Sequence, residues 1–161
     1  MRSLILFEKL FANPEYYDVV FDPLTSGLKA THIHHNFDPA FGELEKEARD
    51  ILYRHGHTVV LESERATELG RKIPDGLLNG NIFEIKTVLG TGKNNIKHKL
   101  LESRSQGCSH VILYYPIQSL FSHESFDTGY RKYKGVLKMD GSTNPLTSIW
   151  AIVSGTIVVL K

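Results

Sequence analysis

The segment Ile73–Thr87, IPDGLLNGNIFEIKT, limits the fold more than any other stretch of the chain. Asn79-Gly80 between two apolar runs is a strong signal for a two-residue hairpin, because Asn and Gly accept the positive φ angles such a turn needs. Asp75 and Glu84 are nearly equidistant from that turn, so pairing brings them close. Side chains alternate along a strand, so Phe83 and Ile85 point one way while Ile82, Glu84 and Lys86 point the other. One face of an otherwise apolar strand thus carries opposite charges one residue apart.

Neighbouring segments fill in an α/β fold. Residues 38–57, DPAFGELEKEARDILYRHGH, predict a helix: Asp38 suits a cap, Pro39 a first helical position, and Gly56 a stop. Phe41, Leu44, Ala48, Ile51 and Leu52 recur at helical spacing. HTVVLES reads as a β-branched strand, followed by a polar stretch up to Lys72. NNIKHKLLESRSQ reads as a second helix and SHVILYYP as a buried, parallel-type strand. YDVVFD and LKATHIHH suggest an N-terminal hairpin around TSG; TSIWAIVSGTIVVLK suggests closing strands around Gly155; residues 117–146 read as irregular. The expected architecture is an α-β-β-β-α-β core over about residues 41–116. It has a mixed central sheet flanked by helices, plus an N-terminal hairpin and C-terminal strands. At 161 residues one domain, 1–161, is expected.

Composition narrows the function classes. With 23% charged residues the chain is globular in type, and a formal net charge of +1 gives no global field for nucleic acid, so a basic surface must be local. The single cysteine, Cys108, cannot form an internal disulfide and reads as a small packing residue. MRSLILFEKLFANPEYY makes a poor signal peptide, and no apolar run is long enough to span a membrane.

Two carboxylates and a lysine meeting on a hairpin are a chemical kit. Asp75 and Glu84 supply hard oxygen ligands for Mg²⁺ or Mn²⁺, which activates water and neutralises phosphate charge. Lys86 can orient or deprotonate that water and stabilise developing negative charge. The bland alternative is a solvent-facing cross-strand pair contributing under about 1 kcal/mol. Among Glu43, Glu45 and Glu47, Glu45 falls about 60° from the centre of the apolar stripe, at its sheet-facing edge; an i,i+4 pair with Arg49 is the competing role. His34 and His35 are candidates for a phosphate or base contact or for general-acid help. His32 and His34 share a strand face without an evident third zinc ligand. Lys93 and Lys97 line a helix start that suits phosphate, while Lys99 reads as solvated. Tyr130–Lys134 reads as an exposed basic-aromatic loop.

Pro74-Asp75, eight intervening residues and Glu84-Ile85-Lys86 resemble the PD-(D/E)xK nuclease signature, and the order of surrounding elements resembles the restriction-endonuclease-like core. KATHIHHNFD, GELEKEARDILYRHGH, GTGKNNIKHKL and QGCSHVILYYP extend the likeness over roughly residues 28–155. They resemble the C-terminal toxin domains of contact-dependent growth inhibition and related polymorphic toxins. The resemblance implies Glu45, Asp75, Glu84 and Lys86 as catalytic residues, with Asp75 and Glu84 on the metal. It implies substrate contacts at polar positions matching Asn95 and Gln106, and RNA, often tRNA, as substrate. It further implies a cognate acidic immunity protein as partner, and a bacterial, delivered effector acting in the target-cell cytoplasm. A DNA endonuclease of restriction or repair type and a non-catalytic nucleic-acid or protein-binding module are the alternatives.

Overall fold

The computed structural model describes residues 2–65 and 73–161; the polar stretch up to Lys72 lies outside them from residue 66 onward. The chain is α/β and divides into two compact units, Met1–Phe83 and Glu84–Lys161.

The first unit contains α1 (Arg2–Ala12), β1 (Tyr16–Phe21), β2 (Leu28–His32), α2 (Gly42–Arg54), β3 (Thr58–Leu61), β4 (Gly76–Leu78) and the first residues of β5 (Asn81–Thr87). The sheet is mixed: β2 and β3 run parallel, and β1–β2, β3–β4 and β4–β5 run antiparallel. Strand alternation separates its faces. Leu28, Ala30 and Val60 meet Leu10 of α1 on one side. Lys29 and Thr31 turn to the other, where Lys29 bonds Asp50 of α2 at 3.0 Å and Arg49 donates to the Thr31 hydroxyl at 2.8 Å. Arg49 also meets Asp18 at 2.8 Å. The Arg49 guanidinium, considered as an i,i+4 partner for Glu45, is thus engaged by Thr31, Asp18 and Asp50.

The hairpin turns at Asn79-Gly80, whose φ angles of 50° and 85° suit the Asn-Gly pair, and its register sets Gly76 opposite Phe83. The residues flanking that pair in the chain are Asp75 and Glu84. Helix α2 starts at Gly42, later than Asp38 and Pro39 suggested. Asp38 spends its carboxylate on the N–H groups of Ala40 and Phe41, closing a turn before the helix.

The second unit contains the rest of β5, α3 (Asn95–Ser105), β6 (His110–Tyr115), α4 (His123–Asp140), β7 (Ser148–Val153) and β8 (Thr156–Val159). Strands β6 and β7 are parallel and β7–β8 antiparallel, turning at Ser154-Gly155. Ile96 and Leu100 of α3 and Phe126, Tyr133 and Leu137 of α4 cover Val111, Leu113, Ala151 and Val153, with Cys108 buried among them.

Helix α4 corrects the expectation of irregular chain over 117–146. Ser122 caps it by accepting from the Ser125 N–H at 3.0 Å, and Gly141 ends it at φ 67°. The Tyr130–Lys134 cluster is therefore no loop. Tyr133 is buried and donates to Asn144 at 2.7 Å, and Lys132 braces the Lys93 carbonyl at 2.9 Å. No helix among the described residues is long and apolar enough to cross a membrane.

Candidate metal centre

The first unit gathers three ligand-type side chains. Asp75 immediately precedes β4 and is tied by its carbonyl, which accepts from the Glu62 N–H at 2.9 Å. The next residue must be glycine for lack of space: a Cβ on Gly76 would sit 2.0 Å from the Val60 carbonyl oxygen. His35 lies in the turn after β2, where its N–H donates to the His32 carbonyl at 3.0 Å. Glu45 comes from the first turn of α2. One ligand atom from each of His35, Glu45 and Asp75 falls within 4.8 Å of the others. Asp75 is 7% exposed and the His35 side chain not at all.

His35 is held at both ring nitrogens. Nδ1 lies 3.0 Å from the Glu62 carbonyl and 3.5 Å from Glu64, and Nε2 lies 2.7 Å from Glu45 Oε1. Burial pulls the imidazole pKa down, but the bond and charge of Glu45, with Glu64 behind, outweigh it and leave the group above its ordinary 6.5. Burial also lifts the Glu64 carboxyl above its usual range, only partly offset by His35 and by the Asn36 N–H. Of the three α2 candidates, Glu45 is the one in this cluster; Glu43 is exposed and pairs with Lys46 at 3.1 Å, and Glu47 is exposed.

These residues fit a divalent cation. Cis ligands on a six-coordinate ion with bonds near 2.1 Å stand about 3 Å apart, and opposite ligands about 4 Å. The 2.7 Å approach of His35 to Glu45 and the 4.8 Å spread of the set need only small adjustment to meet that. The Glu62 carbonyl on Nδ1 is the outer partner that a metal-binding imidazole ordinarily has. His35, expected from the sequence as a candidate substrate contact, has no side-chain exposure and lies in this cluster.

The second unit builds a charged cluster on β5. Lys86 Nζ lies 3.2 Å from Glu84 and 3.1 Å from Glu102 of α3. With its amide nitrogen turned toward the carboxylate, Gln106 donates to both Glu84 oxygens at 3.3 Å. Burial lowers the Lys86 pKa, yet Glu84 and Glu102 more than offset it, so the ammonium is held above its ordinary value. Its two carboxylate neighbours thus favour the ammonium form of Lys86. Lys99, read as solvated, is half-buried; burial and the Lys86 charge push its pKa down. Proximity to Lys86 was invisible in a helix read alone.

No family model, curated protein or solved structure matches the chain.

His34 lies in the turn, half-buried, with its ring 5.4 Å from that of His32. Lys93 is exposed, and Lys97 half-buried on α3. Asn95 donates to the Gly90 carbonyl at 3.2 Å and so braces the loop before α3. A carboxylate–imidazole set can hold a hard or borderline cation.

Proposed function

We propose that the chain is a metal-dependent phosphodiesterase, an endonuclease whose substrate is RNA, tRNA being favoured. Asp75 and Glu84 serve the cation, Glu45 assists, and Lys86 stabilises charge at the phosphate. The observation that carries the proposal is the His35–Glu45–Asp75 donor set, with His35 and Asp75 buried and Glu45 half-buried. A bound cation supplies water activation and charge neutralisation. The chain's own residues do the rest. Lys86, protonated, meets negative charge that grows on non-bridging oxygens. Gln106 and Glu102 hold Glu84 and Lys86 in place from α3.

The choice of RNA and the role of a delivered bacterial toxin domain acting in the target-cell cytoplasm, with an acidic immunity partner, rest on the family resemblance. Lys93, Lys97 and His34 are the proposed substrate contacts. The test is incubation of the purified chain with total RNA, and separately with plasmid DNA, in Mn²⁺ or Mg²⁺, with fragment ends sequenced. Discrete RNA ends from wild type and at least a hundredfold less cleavage by Glu84→Gln and Lys86→Met, both still folded, are expected on about 3 kcal/mol of lost transition-state stabilisation. Plasmid cutting instead moves the reading to a DNA endonuclease; no cleavage of either overturns it in favour of a binding module.

A further inference from the structure

We propose that His35 is itself a metal ligand, and that this makes the site select Mn²⁺ and the later first-row divalent ions over Mg²⁺. The inference deepens the reading above by naming the cation class; it rests on the metal half of that reading and not on the substrate.

The argument is geometric. The Nδ1 edge of His35 faces a backbone carbonyl, that of Glu62 at 3.0 Å, and a carbonyl only accepts. That edge therefore carries the ring N–H. In the neutral imidazole the lone pair then lies on Nε2, which faces Glu45 Oε1 at 2.7 Å. When the ring is protonated that edge donates to Glu45, and a metal ion bound there would take the place of the proton. His35 Nε2, Glu45 and Asp75 each offer a donor atom to such an ion, and all three atoms already lie within 4.8 Å of one another. The ring is wholly buried and locked at both ends, so little ordering remains to be done on binding.

Ligand type then decides the ion. Mg²⁺ demands oxygen, sheds water reluctantly and gains little from imidazole. Mn²⁺ accepts mixed nitrogen and oxygen sets, and affinity rises further along the series to a maximum at Cu²⁺. One imidazole and two carboxylates make a set of the second kind. Glu64, 3.5 Å from Nδ1, adds negative charge behind the ring and strengthens the imidazole as a donor.

The experiment uses Mn²⁺ and the full chain. Loss of the free-ion Mn²⁺ electron paramagnetic resonance signal measures binding, and pulsed measurement of ¹⁴N modulation reports nitrogen in the first coordination shell. The expected results are one bound Mn²⁺ with nitrogen coupling in wild type and loss of that coupling in His35→Gln. Half-displacement by Mg²⁺ should need about a hundredfold excess or more. Wild type alone can overturn the proposal, whether or not the variant folds: Mn²⁺ bound without nitrogen coupling, or displaced by equimolar Mg²⁺, sinks it, as does no binding at all. Because the readout is spectroscopic, nitrogen-coupled Mn²⁺ in a chain that cuts no RNA would leave this inference standing and remove the nuclease reading.

Discussion

Substituting Gly76 by alanine probes the part of the fold that delivers Asp75. The new methyl carbon would lie 2.0 Å from the Val60 carbonyl oxygen, where ordinary contact begins at 3.4 Å, so β3 and β4 must part by about 1.4 Å. The obstacle is backbone, which cannot rotate aside as a side chain can. The separation would break the 2.9 Å bond from Glu62 N–H to the Asp75 carbonyl and strain the Leu61–Gly76 pairing. Overpacking of this kind costs about 1–3 kcal/mol, and a lost buried backbone bond adds about 1 kcal/mol or more. We expect Gly76→Ala to lose about 3 kcal/mol in urea unfolding followed by circular dichroism, and to weaken Mn²⁺ binding at least tenfold. Gly80→Ala is the control: its φ of 85° disfavours alanine, but no atom lies within 4 Å of the new carbon, so the cost should be about 1 kcal/mol with metal binding unchanged. If the two variants cost the same, or Gly76→Ala binds Mn²⁺ normally, the strand-spacing argument is wrong.

The other charged positions carry predictions of their own. Lys86→Met removes the ammonium between Glu84 and Glu102 and should cost about 2 kcal/mol, while adding Glu84→Gln should recover about 1 kcal/mol of the summed single losses; additivity within about 0.5 kcal/mol would contradict the pairing. Burial alone would raise the Asp50 pKa, but Lys29 and Arg49 hold it below its ordinary 3.8. A depressed carboxyl stabilises the fold above its unfolded pKa and loses that contribution as pH falls through the folded value. Wild type should therefore exceed Asp50→Asn by about 1 kcal/mol at pH 6, with the gap closing below about pH 4 in parallel denaturation curves.

Much of the hairpin was legible because its signal is local: Asn79-Gly80 sets the turn, and the alternation of Phe83, Glu84 and Ile85 follows from it. Helix α2 was legible by period but not by boundary, because Asp38 can close a turn as readily as it caps a helix. Helix α4 was missed although Phe126, Tyr130, Tyr133 and Leu137 recur at helical spacing. Gly129 is there for packing, since a Cβ would lie 2.5 Å from Ile96 Cβ of α3. That requirement belongs to a pair of helices and leaves no mark within either one. His35 was hidden for a similar reason. It sits in a turn without periodicity, and its carboxylate partners Glu45 and Asp75 stand 10 and 40 residues along the chain. Glu45 could be chosen from helical angles, whereas the ring that meets it could not.

We propose that acidic side chains on this fold recruit a cation to cut RNA. Chelating the purified chain with EDTA, assaying cleavage of purified tRNA, and then restoring Mn²⁺ tests it most directly. Cleavage should vanish on chelation and return with Mn²⁺ in wild type, and should not return in Asp75→Asn. Undiminished cutting in EDTA would contradict the claim and shift the chemistry to the RNA 2′-hydroxyl.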